Sequence, residues 1–159
     1  MDSLKIEALT RGAFAPFGQV LEADGADHFL INEGTTTRFH SLAQADTGSD
    51  GTAIISIFRG TCRGFPFPVR MLECHPLGSQ AFMPLSPDGW LIVVAEEPDP
   101  KALRCFRASG RQGVQYAKGV WHHPLLVLIP EQNFLIVDRD GPGENLIEVR
   151  LPETRFVSL

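Results

Sequence analysis

Apolar runs of strand length recur along the chain and are closed by Gly, Pro, Asp or Ser, which predicts strands over residues 53–58, 69–74, 80–85, 90–95, 103–108, 125–129, 134–137 and 146–151. The glycines and prolines fall mainly between these runs, where turns need a positive or a fixed φ. Many short strands joined by tight turns make an all-β fold, a sandwich or a barrel. Helical pattern is sparse. Thr10 is placed to cap a short helix over residues 11–15, ended by Pro16 and Gly18, and residues 99–103 fit one further turn. No repeat or linker divides the sequence, so residues 1–159 read as one domain. Residues 153–159 read as a surface tail or a strand lent to a partner.

The run Val69-Arg70-Met71-Leu72-Glu73-Cys74-His75 contains the first candidate chemistry. A period of two puts Val69, Met71, Glu73 and His75 on one face, and a face that begins apolar normally continues inward. Pro76-Leu77-Gly78 then turns the chain and Gln80 opens the next strand, so an acid, an imidazole and an amide can converge at one hairpin mouth. The plain alternative is a solvated polar face. The second cluster is Gly119-Val120-Trp121-His122-His123-Pro124, where adjacent strand residues point to opposite faces and His122 is the expected inward one. Here the alternative is a histidine pair that is structural filler beside a turn. Together Glu73, His75, Gln80 and His122 suit either general acid-base work near neutral pH or a weak divalent metal site.

Composition narrows the field. With 43% hydrophobic and 21% charged residues the chain is an ordinary globular one. Its 14 basic residues are scattered among 19 acidic ones, for a net charge of -5, which argues against nucleic acid. Cys62, Cys74 and Cys105 are odd in number and lack CxxC spacing, so reduced core thiols are expected. The longest apolar runs are too short to span a bilayer, and no basic and apolar leader pattern occurs. A cytoplasmic protein with no membrane partner is the expectation.

The order Glu-x-His-x4-Gln followed by Gly-x-x-His resembles a degenerate form of the two cupin motifs, in which four residues hold a metal inside a β-barrel. Glu73 stands where the first histidine would be and Gln80 where the carboxylate would be, and both exchanges weaken the expected metal affinity. Longer strings resemble the ureidoglycolate lyase family, long called ureidoglycolate hydrolase. These are Ile31-Asn32-Glu33-Gly34, Arg38-Phe39-His40, His75-Pro76-Leu77-Gly78-Ser79-Gln80-Ala81-Phe82, Gly113-Val114-Gln115-Tyr116, Val120-Trp121-His122-His123-Pro124-Leu125 and Asp138-Arg139.

The resemblance implies a cupin-like antiparallel β-barrel, a homodimer, and release of urea and glyoxylate from (S)-ureidoglycolate in allantoin degradation. Such a carbinolamide breaks down when a base takes the hydroxyl proton and an acid protonates the departing nitrogen. His75 or His122 is expected as the base, with Glu73 holding the imidazole or moving the second proton. Arg59 and Arg38 are candidates for the substrate carboxylate, and Gln80 and Asn32 for the ureido group. Asp138-Arg139 is read as a site element or an internal ion pair. The cofactor expectation is either none or a divalent metal such as nickel, held by His75, Gln80, His122 and Glu73. A hydrolase releasing ammonia and carbon dioxide, and a non-catalytic module that binds a small carboxylate, are the competing readings. Residues 43–51, rich in Asp, Gly, Thr and Ser, are the expected mobile lid.

Overall fold

The strand Trp90–Ala95 is buried along its whole length, and its two faces organise the molecule. Trp90, Ile92 and Val94 enter one apolar cluster with Phe82, Val114, Tyr116 and Phe134, while Leu91, Val93 and Ala95 enter a second with Val69, Leu72 and Cys105. A strand covered on both faces reads as an unbroken apolar run.

The computed structural model describes residues 2–159. In chain order the strands are β1 Ile6–Ala8, β2 Gly18–Leu21, β3 His28–Ile31, β4 Thr36–Phe39, β5 Thr52–Thr61, β6 Phe67–Cys74 and β7 Gln80–Pro84. They continue as β8 Trp90–Ala95, β9 Arg104–Ala108, β10 Gly113–Tyr116, β11 Trp121–His122, β12 Leu126–Val127, β13 Glu131–Asp140 and β14 Ile147–Val157. One sheet runs β1-β9-β8-β11-β6-β14, with β12 added to β8; a second runs β2-β10-β7-β13-β5, and β3 and β4 form a third of two strands. Apart from the parallel pair β1 and β9, the ladders are antiparallel. The first cluster draws on the two larger sheets, which curl towards each other as a half-barrel. The fold is therefore all-β, as the patterning predicts.

The helix is short, Arg11–Phe14, and Thr10 caps it by accepting from the Ala13 N–H at 3.2 Å. Pro100–Ala102 forms one 3-10 turn capped by Asp99.

Four expectations change. Residues 153–159 are not a free tail: β14 pairs with β6 as far as Val157, which is fully buried, because Phe156 and Val157 continue the strand beyond a register shift between Arg150 and Arg155. That shift also breaks the simple alternation of β6. Val69 joins Leu72 in the second cluster, so it does not share an interior with Glu73 as a strict period of two requires. Residues 43–51 are pinned to the body of the fold. Ser79 Oγ accepts from the Asp46 N–H at 2.8 Å, Gln115 donates to the Gln44 carbonyl at 2.7 Å, and Arg139 donates to the Thr47 carbonyl and to Asp50. Arg139 is accordingly paired with Asp50 and not with Asp138, since neighbours on a strand point to opposite faces.

Candidate active site

Two short pieces of backbone bring the chemistry together. β11 is wedged between β8 and β6, and its His122 stands directly opposite Glu73 on β6 and Val94 on β8. His75 follows β6 by one residue and enters the turn to β7, where the function of the string His75-Pro76-Leu77-Gly78-Ser79-Gln80 becomes visible residue by residue. The Leu77 N–H donates to Asn145 Oδ1 at 2.8 Å, and Ser79 ties the turn to Asp46. A Cβ on Gly78 would stand 2.8 Å from Arg139 Cβ and 2.9 Å from the Asp46 carbonyl oxygen, so only glycine allows this close packing. The turn that follows His75 is thus clamped by Asn145 on one hand and Asp46 on the other.

Both imidazoles are fixed by backbone carbonyls. His75 Nδ1 donates to the Asn145 carbonyl at 2.8 Å, and His122 Nδ1 donates to the Val120 carbonyl at 2.9 Å. A carbonyl oxygen only accepts, so in the neutral rings each Nδ1 carries the hydrogen and each Nε2 presents a lone pair. Both Nε2 atoms are buried without a hydrogen-bond partner. The two rings lie 5.2 Å apart, and Tyr116 stacks on His122 at 4.2 Å with the planes 10° apart.

Glu73 Oε1 lies 3.5 Å from His122 Nε2, an ion-pair distance longer than a good hydrogen bond. Burial pushes the Glu73 carboxyl up, but the polar contact with His122 and the electrostatic influence of His122 and His75 outweigh it, and the net shift is downward. Glu73 is therefore a carboxylate at neutral pH. His123 borders the same cavity as these groups and stands edge-on to Phe67 with ring centres 5.1 Å apart. Burial drives its pKa down to about 4 despite its bond to the Pro124 carbonyl, which keeps it neutral. Burial likewise raises the Tyr116 phenol, which stays protonated, and pushes the Cys105 thiol up to about 12. Cys62, Cys74 and Cys105 are all unpaired.

These groups line a cavity of about 560 Å³ whose apolar walls include Phe58, Phe82, Trp90 and Leu125. Of the residues singled out from the sequence, Glu73, His75, Gln80, Arg59, His122 and His123 meet here. Gln80 spends its amide Nε2 on Asp138 Oδ2 at 3.1 Å, and Arg59 is oriented by Nε donation to Asn133 Oδ1 at 3.0 Å. Arg38 and Asn32 lie outside the cavity lining, on the exposed β3–β4 hairpin. Asn32 sits in the turn of that hairpin with φ of 53° and Nδ2 directed at Thr36 Oγ1, a local turn role. Asn145 and Tyr116 were not foreseen as site residues, and Asp138, read from the sequence as a site element or half of an ion pair, supports the site through Gln80. The string Gly113-Val114-Gln115-Tyr116 held the only signal for Tyr116, and the non-local pairing of β10 with β7 brings it to the cavity.

The trio Glu73, His75 and His122 also fits a divalent ion. One ligand atom from each, all within 4.8 Å of one another, gives two imidazoles and a carboxylate, and each imidazole is oriented through its other nitrogen. Gln80, whose Nε2 donates to Asp138 Oδ2, lines the same cavity as this trio.

Known proteins give the cavity a context. The family model described as ureidoglycolate lyase matches residues 1–158. The ureidoglycolate lyase of Pseudomonas entomophila is 53% identical over all of this chain and 98% of its own length, and that of Burkholderia mallei is 52% identical over 99% of this chain and 95% of its own. Among solved structures, oxalate decarboxylase from Bacillus subtilis at pH 4.6 aligns with 78% of this chain and 35% of its own at 11% identity, with a TM-score of 0.38. With the sequence matched from end to end by a single lyase family at this level of identity, the chain belongs to the ureidoglycolate lyase family.

Proposed function

We infer that this chain is a ureidoglycolate lyase of the amidine-lyase type, splitting (S)-ureidoglycolate into glyoxylate and urea. The observation that carries the reading is the convergence of two unpartnered imidazole Nε2 atoms on an ionised Glu73, in one cavity of a chain matched along its length by that family.

The substrate carries a hydroxyl and a ureido nitrogen on the same carbon. His75 Nε2 takes the hydroxyl proton, the C–N bond breaks as the C=O of glyoxylate forms, and the nitrogen leaves as urea after receiving a proton from His122. Glu73 Oε1, 3.5 Å from His122 Nε2, holds that nitrogen in place for the transfer. The proton gained by His75 replaces the one lost by His122 when the products leave, and no water is consumed. Gln80, held by Asp138, offers its free carbonyl oxygen to the ureido N–H groups, and Arg59 offers its Nη groups to the substrate carboxylate. A divalent ion held by Glu73, His75 and His122 would, instead of this proton transfer, supply Lewis-acid polarisation of the substrate oxygens.

The enzyme acts as a homodimer in allantoin degradation, and the three unpaired cysteines suit the reducing cytoplasm. None of the helices among the described residues is long and apolar enough to cross a membrane.

Incubation with racemic ureidoglycolate, followed by chiral and product analysis, tests the reading. The expected result is equal urea and glyoxylate with the (S) form consumed. Ammonia and carbon dioxide in place of urea would make the protein an amidohydrolase, and unreacted substrate would leave a module that only binds a small carboxylate.

A further inference from the structure

Two surfaces of this chain are left without cover. The β3–β4 hairpin pairs only with itself, and Phe29, Leu30 and Phe39 on it are 46%, 66% and 41% exposed. A lone two-stranded hairpin is marginal in water, so such an arm is ordinarily docked on something. The second surface is β5, the terminal strand of its sheet. Phe58 packs inward on Phe82, whereas Ile55 and Ile57 are 74% and 63% exposed beside Leu135 of β13. An exposed, ten-residue apolar edge strand is a surface that proteins normally cover.

The exposed parts of Phe29, Leu30, Phe39, Ile55, Ile57 and Leu135 amount to roughly 600 Å² per chain, against the ~800 Å² per partner of a standard interface, with polar neighbours available for the rest. One chain thus carries both halves of a self-complementary contact. A two-fold pairing satisfies arm and edge in both copies at once, while a foreign partner would leave one of the two bare.

The edge strand is also a wall of the cavity, which Ile57, Phe58 and Arg59 line. Arg59 is the one arginine or lysine in that lining, and it is already engaged by Asn133 and lies 3.4 Å from Glu131 Oε1. For an anionic substrate the cavity is short of positive charge. Arg38 sits on the hairpin with its guanidinium over Phe29 and no ion pair among the described residues.

We propose that a second copy of this chain lays its β3–β4 hairpin along β5, so that Arg38 of the partner subunit stands at the cavity mouth and binds the substrate carboxylate. The proposal rests on the lyase reading for the role of Arg38, and on the exposed surfaces alone for the contact.

Light scattering tests the contact without reference to activity. Wild type is expected at twice the chain mass of 17.5 kDa, and the double variant Ile55→Glu, Ile57→Glu at one chain mass with an unchanged circular dichroism spectrum. A monomeric wild type, or a double variant that stays dimeric, overturns the contact. Complementation tests the shared site. Arg38→Ala and His122→Ala are each expected to lose at least tenfold in kcat/KM, and heterodimers purified with one of each carry one intact site and regain about half of wild-type activity. Arg38→Lys should recover part of the loss. Heterodimers as inactive as their parents, or an Arg38→Ala protein as active as wild type, overturn the sharing. Absence of lyase activity in wild type itself would sink the proposed function and the role of Arg38 while leaving the mass measurement to decide the contact.

Discussion

Glu73 and His122 face each other across the ladder between β6 and β11, with the carboxylate oxygen 3.5 Å from an imidazole nitrogen that has no other partner. This pair is the electrostatic centre of the cavity. Replacing Glu73 by Gln keeps the shape and removes the charge that faces His122 Nε2. The expected outcome is a fall in kcat of about 10²-fold with an unaltered circular dichroism spectrum, since positioned proton transfer typically contributes 10² to 10⁴. Steady-state kinetics on ureidoglycolate reads it, and a loss of only a few fold would remove Glu73 from the proton path.

Gln80 is the link between the cavity and Asp138, its amide nitrogen donating at 3.1 Å. Asp138→Ala should free the Gln80 side chain to rotate. KM is expected to rise about tenfold with kcat changed by less than threefold, the pattern for loss of an interaction made equally in ground and transition states. A fall in kcat at constant KM would instead place Asp138 in the chemical step.

His123 gives a stability prediction. Its folded-state pKa of about 4 lies below the unfolded value of about 6.5, so between those limits the unfolded chain binds the additional proton. The contribution is present above pH 6.5 and is lost as the pH falls towards 4, by about 3 kcal/mol for this residue. Urea melts at pH 7, 5.5 and 4.5 should show the decline, and His123→Asn should flatten it. An equal decline in the variant would assign the acid sensitivity to other groups.

Proton transfer through the two Nε2 atoms and metal ligation by the same atoms exclude one another. The proton-transfer account predicts that chelator-treated protein, verified as metal-free by elemental analysis, keeps activity within twofold of the untreated enzyme. Loss of activity on chelation with recovery on adding Ni²⁺ would show that Glu73, His75 and His122 act as a ligand set.

How far the sequence could be read depended on whether a feature was local. The unbroken run Trp90–Ala95, the Thr10 cap and the turn after His75 depend on neighbours in the chain, and each was legible. The convergence of Glu73 with His122 was visible only as two polar clusters, because the wedge of β11 between β8 and β6 is non-local. β5 is apolar yet exposed, and composition cannot distinguish a core strand from one awaiting cover. The inward turn of Glu73 was inferred through Val69, which in fact packs in the other cluster after the register shift opposite β14. Asn145 acts through two hydrogen bonds across 70 and 68 residues of sequence and Asp138 through one across 58, a relation that no periodicity carries.

The central claim is that the two imidazoles move the protons. It is tested most directly by assaying glyoxylate release from (S)-ureidoglycolate with His75→Ala, His122→Ala and the double variant, all confirmed as folded. The account predicts a loss of 10² to 10⁴-fold in each single variant, with little further loss in the double because the residues act as one unit. Activity within a few fold of wild type in both single variants would contradict it.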